Sequence, residues 1–531
     1  MAFGLYFVVI FAGSVFLTSD KFVDPINTPK LFFVAATCLV GVMIFATLPM
    51  MPIFKALSGG ATLWGVSVVC LIQACYGLCQ YNNWVPSNHS KFPITGSFDN
   101  PAGFAATLAM GFPISIWLLL HTKGIKRLLI IVALLLITIA MFCCDSRSGV
   151  LALAVSCVSF LCVEKGVYKR FQQFRRPKLL LILLSCVIFT GAILLYFHKK
   201  DSADGRLLIW RVSLEMINDN AALGVRPFQA RYMDYQADYF KKHPTSQYAQ
   251  LADNVKHPFN EFLNIAVEYG LTGLIVVLAV VFFVVRRSLK APKLMRGLLT
   301  SGFSSFLVLA CFSYPLKYVA VDLLLALYLF FLMSTKTISF RSGFITFLMR
   351  VILVVLCAFF LACVIRQIKA ERKWRNAAIA SMQGKTTEML PEYEKLFSTG
   401  LRRNPFFLYN YGAELNFAGR YDESIEVLLE CKDLFNDYDL QMLLADNYSR
   451  NDDIDKAILL YQQASCMIPC RFLPVYELFR INRDVGRKDM ALLYATEIVD
   501  KKVKIQSFTV SSIKFEAADY LKCINIEREF R

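Results

Sequence analysis

The stretch LTGLIVVLAVVFFVV, residues 271–285, carries no charged residue and is followed at once by Arg286 and Arg287. It belongs to a longer apolar segment, residues 265–286, that is long enough to cross the hydrocarbon core of a bilayer as a helix. Lipid offers no hydrogen-bond partners to the backbone, so a continuous apolar segment crosses it in helical form. The stretch therefore predicts a transmembrane helix.

Similar apolar segments recur through the first two-thirds of the chain. Hydrophobic residues make up 56% of the 531 residues, more than a soluble protein of this size carries. We predict an all-α polytopic membrane protein with about eleven transmembrane helices, or twelve if one further segment crosses the bilayer. The predicted segments are 2–18, 31–50, 61–80, 102–121, 127–144, 148–164, 178–197, 265–286, 297–313, 317–334 and 343–364.

The net charge of +17 is concentrated in loops that alternate along the chain. Basic loops of a membrane protein face the cytoplasm, so the excess charge reflects topology, and we predict no nucleic-acid partner. The basic clusters are Lys123, Lys126 and Arg127; Lys165, Lys169, Arg170, Arg175, Arg176 and Lys178; and Arg286, Arg287, Lys290, Lys293 and Arg296.

The loops without such clusters are predicted to face outward. They are residues 81–101, 144–148 and 198–264, with a short turn near Pro315. The chain then divides into a transmembrane domain, residues 1–365, which contains the large loop 198–264, and a water-soluble helical domain, residues 366–531. With an odd number of membrane helices, the second domain is also predicted to lie outside.

The C-terminal domain contains an internal repeat. Gly419, Asp452 and Gly486 mark turns that are separated by 33 and 34 residues. This spacing resembles tetratricopeptide repeats, which pair two helices in about 34 residues. Such repeats bind peptides or pack against partners, so a protein partner is expected here. The alternative is a helical cap that only folds against the membrane domain.

The sequence Lys256-His257-Pro258-Phe259-Asn260-Glu261 ends the large outward loop. Proline is favourable at the first position of a helix, which predicts His257 as the N-cap of a membrane helix. Asn260 and Glu261 would then share the helix face of His257. A histidine beside a carboxylate can act as a general base. The alternative is an ordinary interfacial histidine.

Two arginines occur in outward segments. Arg147 lies in the turn from Ser146 to Gly149, at the edge of a membrane segment, where a charge is costly. Arg206 is predicted to lie in the first turn of an amphipathic helix that has apolar residues at 207, 210, 214 and 217 and Asp204 as its N-cap. A guanidinium in the first turn of a helix favours a bound phosphate. A snorkelling Arg147 and a solvated Arg206 are the alternatives.

These motifs, in this order, resemble the O-antigen ligase family of multi-spanning enzymes. The resemblance covers about residues 95–290 and rests on the motifs Gly96 to Pro101, Ser146 to Gly149 and Gly205 to Trp210, and on His257, Asn260, Glu268 and Gly270. The chain departs from the family pattern at Ala221 to Arg226, where only one of two glycines is present.

The resemblance implies transfer of a glycan from an undecaprenyl-diphosphate carrier to a hydroxyl acceptor, on the periplasmic side of the bacterial inner membrane. His257 would act as, or orient, the base that deprotonates the acceptor hydroxyl. Arg147 and Arg206 would hold the diphosphate and stabilise the charge of the leaving group. The further substrate-binding candidates are Arg211, Asn260, Glu261, Asn100 and Trp210. No metal and no cofactor are expected.

The resemblance leaves the acceptor open. A ligase transfers glycan to lipid A core, a protein O-oligosaccharyltransferase to Ser or Thr, and a polymerase to another glycan. Two other classes of protein share the architecture: a polysaccharide transporter and a membrane-anchored repeat scaffold. A transporter would carry polar or charged residues in mid-helix. Here the charged residues lie at the edges of the predicted membrane helices, and Asp322 is the main exception.

Overall fold

The computed structural model describes residues 2–47, 60–164, 196–197, 199–334 and 344–529. Throughout these residues the regular structure is helical, with twenty α-helices, three short 3₁₀ helices and no strand. In the N-terminal part the helices are α1 (Ala2–Phe16), α2 (Asn27–Thr47), α3 (Gly60–Tyr81), α4 (Pro101–His121), α5 (Gly124–Cys143), α6 (Arg147–Glu164), α7 (Lys200–Asp219), α8 (Phe228–Lys242), α9 (Glu261–Leu289), α10 (Lys293–Phe312) and α11 (Val319–Ser334).

The other described helices lie in the C-terminal part of the chain. They are α12 (Phe344–Met382), α13 (Thr386–Phe397), α14 (Pro405–Phe417), α15 (Tyr421–Leu434), α16 (Tyr438–Arg450), α17 (Ile454–Met467), α18 (Leu473–Asp484), α19 (Lys488–Asp500) and α20 (Phe508–Glu529).

Seven of the described helices are long and apolar enough to cross a membrane: α2, α3, α4, α5, α9, α10 and α12. Shorter apolar helices lie within α1, α6 and α11. Ten of the eleven predicted segments coincide with these helices, and the multi-pass, all-α prediction is confirmed. The predicted segment 178–197 and the basic loop before it lie almost wholly outside the described residues.

The contacts divide the chain into two compact units. The first comprises Met1–Leu195, Phe259–Phe262 and Ile275–Arg375, and the second Tyr196–Pro258, Leu263–Leu274 and Asn376–Arg531. The large loop therefore belongs to the same unit as the C-terminal helices. That grouping was not foreseen from the sequence.

The core of the first unit forms around α4, where Pro113 interrupts the helix. Proline has no N–H, so the carbonyl of Ala109 loses its helical partner. The Ser305 hydroxyl of α10 donates to that carbonyl at 2.9 Å, and the Tyr328 hydroxyl of α11 donates to Met110 O at 2.8 Å. Buried backbone acceptors at the proline are thus satisfied by two neighbouring helices.

In the second unit, α14 to α19 form three helix pairs. Their first helices begin at Pro405, Tyr438 and Leu473, which are 33 and 35 residues apart. Gly419 and Gly486, two of the predicted turn residues, have φ of +77° and +80°, and Asp452 has φ of +59°. The tetratricopeptide resemblance itself stays a prediction.

Helix α8, from the large loop, packs against α17 within this unit. The buried Gln236 donates through Nε2 to Met467 O at 2.7 Å. Asp234 Oδ1 accepts from Asn436 Nδ2 at 2.9 Å and from Gln463 Nε2 at 2.6 Å. These side-chain amides fix the loop to the C-terminal helices.

Candidate functional site

The segment of His257 is not helical. Helix α9 begins at Glu261, four residues after His257, so the prediction that His257 is its N-cap is wrong. Phe259 has φ of +55°, which a helix does not accommodate, and the Trp210 indole N–H donates to Pro258 O at 2.9 Å. His257 is half-buried in a stretch without regular secondary structure, which side chains hold in place.

Trp210 and Arg211 occupy neighbouring positions on α7 with different surroundings. Trp210 is half-buried and bonds to the residue that directly follows His257. Arg211 is exposed, with its guanidinium 5.8 Å from the centre of the Tyr239 ring. Both residues were predicted to bind substrate, and the structure shows that Trp210 also contacts the His257 segment.

The start of α7 differs from the prediction. The helix begins at Lys200, so Asp204 is not its N-cap and Arg206, its seventh residue, is not in the first turn. Asp204 instead accepts a hydrogen bond from the Tyr196 hydroxyl at 2.5 Å. Arg206 is half-buried and lies beyond the first turn, where the helix dipole no longer favours an anion.

The buried face of α7 is also shifted. The apolar side chains that are buried are Leu208, Ile209, Val212 and Met216. Leu207 and Leu214, which belong to the predicted apolar face, are exposed. The helix is amphipathic as predicted, but the buried face is one residue out of register.

Arg147 is the first residue of α6, a helix of 18 residues. The Ser146 hydroxyl accepts from the Gly149 N–H at 3.3 Å, and Asp145 turns the chain with φ of +56°. Arg147 is half-buried. A cation at the positive end of a helix dipole is unfavourable unless an anion is near. Arg147 therefore occupies the position at a helix start that was predicted for Arg206.

The Gly96 to Pro101 motif is largely built into the fold. Asn100 is the N-cap of α4, its Oδ1 accepting from Ala102 N at 2.9 Å, and Pro101 takes the first helical position. Asp99 pairs with Lys317 at 2.8 Å. The side-chain oxygen of Asn100, a predicted substrate ligand, is therefore used in capping.

Gln80 of α3 holds the same motif, and sequence reasoning did not identify it. Its buried Oε1 accepts from the N–H groups of Thr95, at 3.0 Å, and Gly96, at 2.7 Å. Its Nε2 donates to the carbonyls of Gly96 and Pro86. The signal in the sequence is that Gln80 and a second glutamine, Gln73, lie in a helix that is mostly apolar.

Glu261, the first residue of α9, also has a structural partner. Its Oε1 accepts from Leu316 N at 3.1 Å, and the ring of Phe259 contacts that of Tyr314 edge-on, with centroids 5.3 Å apart. Glu261 thus begins α9 beside the turn near Pro315, and Asn260, directly before the helix, is half-buried.

The loop from Ala221 to Val225 fits into a break in α9 at Gly270. Gly270 has φ of +67°, and the loop carbonyls of Ala221 and Ala222 accept from Leu271 N and from the Thr272 hydroxyl. Added Cβ atoms at Gly224 and Gly270 would lie within 2.5 Å of backbone atoms of the opposite segment.

Glu268, two residues before the break, accepts from Phe228 N at the start of α8 at 2.9 Å. The first N–H groups of a helix have no partner inside it, so this carboxylate supplies one. The Glu-x-Gly motif therefore closes the loop onto α9. Phe228, the partner of Glu268, is forty residues away in sequence, so no local pattern indicated this role.

Residues 132–278 match the family model described as O-antigen ligase. The resemblance to the O-antigen ligase family is confirmed. The matched region contains Arg147, Arg206, His257 and the Glu268 to Gly270 motif, and it excludes Gly96 to Pro101. No curated protein matches the chain. The match to this model supports a membrane protein that transfers glycans, as a ligase or a polymerase.

Proposed function

We propose that the chain transfers an oligo- or polysaccharide from an undecaprenyl-diphosphate carrier to a hydroxyl acceptor, at the periplasmic face of the bacterial inner membrane. The observation that carries the proposal is the family match over residues 132–278, a region that contains Arg147, Arg206 and His257. Multi-pass architecture supports a substrate that is anchored in lipid.

In the proposed reaction His257 accepts the proton of the acceptor hydroxyl, and the oxygen attacks the anomeric carbon. The bond from that carbon to the diphosphate oxygen breaks, and its electron pair leaves with undecaprenyl diphosphate. Attack from the opposite face inverts the anomeric carbon. The proton ends on His257 and the negative charge on the diphosphate.

Arg147 and Arg206 are proposed to neutralise the charge that develops on the diphosphate. The position of Arg147 supports this role, because the N–H groups at a helix start and the guanidinium both favour an anion. Arg211 and Asn260 are proposed to orient the substrate. Trp210, Glu261 and Asn100 are also proposed to contact the substrate.

The acceptor separates three versions of the function: lipid A core for a ligase, a glycan for a polymerase, and Ser or Thr for a protein O-oligosaccharyltransferase. The C-terminal helices are proposed to present or select the acceptor. Deletion of residues 370–531 tests this when acceptor choice is scored rather than rate. Unchanged acceptor choice would contradict it.

The proposed function is tested in a deletion strain complemented with wild type, His257→Ala or Arg147→Ala. Lipopolysaccharide and glycoprotein gels are run side by side. Loss of long-chain lipopolysaccharide with accumulation of carrier-linked polymer indicates a ligase. Loss of protein glycans alone indicates a protein glycosyltransferase, and carrier with a single repeat unit indicates a polymerase.

His243→Ala is the matched control, because His243 lies in the same large loop, where its Nδ1 is 2.9 Å from Tyr239 O in the last turn of α8. This variant should complement fully. Unchanged glycans in both the His257→Ala and Arg147→Ala strains would contradict the proposed function and favour a transporter or a scaffold.

A further inference from the structure

We propose that the C-terminal helices position the segment that carries His257, and that Asn254 is the positioning residue that makes this connection. The inference rests on the proposed function, because it assigns Asn254 a role through His257. It concerns only the second compact unit, which contains the large loop and the C-terminal helices.

Asn254 lies three residues before His257 and binds the start of α16 with both atoms of its amide. Its Oδ1 accepts from the Tyr438 N–H at 3.1 Å, and its Nδ2 donates to Asp439 Oδ2 at 3.2 Å. The Tyr438 N–H is the first of its helix and needs a partner from outside it. The N-cap Asp437 accepts from Leu440 N instead, so Asn254 completes the cap.

Lys256, directly before His257, makes a second contact with the C-terminal helices. Its ammonium group is 4.9 Å from the ring centre of Phe406 and 5.3 Å from that of Phe435. A cation near the faces of two aromatic rings is attracted to both. Two of the three residues that precede His257 are therefore held by the C-terminal helices.

The other side of His257 is held by α7. Pro258 is buried, and its carbonyl accepts from the Trp210 indole at 2.9 Å. Residues 252–260 have no helix or strand, so no backbone ladder fixes them. Side-chain contacts on both sides therefore set the place of the imidazole. A general base displaced by about 1 Å can lose about 100-fold in rate.

A polarity swap between Asn254 and Asp439 tests the connection. Asn254→Asp removes the donor and brings two carboxylates together, so transfer by the full-length protein should show kcat lowered about tenfold or more, with KM for the carrier-linked glycan little changed. In the double variant Asn254→Asp/Asp439→Asn, the new amide at 439 donates to the new carboxylate at 254. That variant should recover most of kcat.

The recovery is the readout that general damage to the fold would not give. A wild-type kcat in Asn254→Asp, or a double variant as slow as the single one, would overturn the inference. Lys256→Met should also lower kcat. Its matched control is Lys456→Met, because Lys456 lies 5.1 Å from the Tyr448 ring in the same unit, remote in sequence from the loop.

Measuring His257→Ala in the same assay distinguishes a failure of the proposed function from a failure of the positioning role of Asn254. If His257→Ala transfers glycan normally, the proposed function fails and the positioning role fails with it. If His257→Ala is inactive while Asn254→Asp keeps wild-type kcat, only the positioning role fails.

Discussion

Gly270 lies within α9 at the point where the loop from Ala221 to Val225 comes closest. A Cβ at Gly270 would lie 2.3 Å from Ala222 O, a backbone atom that cannot rotate away. Gly419 also has a positive φ, but a Cβ there meets nothing within 4 Å. Gly419→Ala therefore costs only the backbone strain, roughly 1 kcal/mol, whereas Gly270→Ala adds a clash.

We expect Gly270→Ala to lower the midpoint of thermal unfolding clearly more than Gly419→Ala, with both measured on the full-length protein in detergent. Equal losses in the two variants would contradict the close packing of the loop against α9.

Trp210 was named from the sequence as a substrate ligand, and its contact with Pro258 O suggests that it acts through the His257 segment. Trp210→Phe keeps an aromatic side chain but removes the donor. We expect kcat to fall several-fold at unchanged KM, since the hydrogen bond, worth about 1 kcal/mol, is lost beside the base. A raised KM at normal kcat would instead support direct substrate binding.

At the scale of elements, periodicity predicted the helices but not their ends. Asp204 followed by Gly205 looked like a helix start, yet the preceding residues contain no helix breaker and α7 begins at Lys200. Pro258 also looked like a first helical position. The backbone turns at Phe259 instead and delays α9 to Glu261, because partners distant in sequence hold that segment.

Helix α8 carries a carboxylate whose titration affects stability. Burial raises the pKa of Asp234 above its ordinary value of 3.8, although Lys432 and the Asn436 amide act in the opposite direction. A carboxyl group with a raised pKa in the folded state stabilises the fold fully below pH 3.8. That contribution is lost as the pH rises through the raised pKa.

Asp234→Asn keeps an acceptor for Asn436 and Gln463 and cannot ionise. We therefore expect the unfolding midpoint of the variant, minus that of wild type, to be smallest below pH 3.8 and to increase towards pH 7. The comparison cancels the other titrating groups. A difference that shrinks towards pH 7 would show that Asp234 is stabilised in its charged form.

At the scale of the molecule, hydropathy alone predicted a multi-pass helical protein, because lipid imposes helical, apolar segments. The four outward motifs predicted a resemblance to the O-antigen ligase family, and residues 132–278, which contain three of them, match the model of that family. The fold around those motifs could not be predicted, since Gln80 and Glu268 act on backbone groups of distant segments that no local pattern reveals.

The grouping of the large loop with the C-terminal helices was equally hidden. It depends on single amide contacts such as Asn254 to Asp439 and Gln236 to Met467, across about 200 residues of sequence. These contacts have no periodicity. They show that the C-terminal helices are part of the unit that contains His257.

The most direct test of the central claim uses the purified full-length protein, a synthetic polyprenyl-diphosphate-linked glycan and a hydroxyl acceptor. Release of polyprenyl diphosphate is followed for wild type, His257→Ala and the control His243→Ala. We expect transfer by wild type and His243→Ala. For His257→Ala we expect the rate to be reduced by about 100-fold or more. Equal rates for the two histidine variants would contradict the claim that His257 is the base.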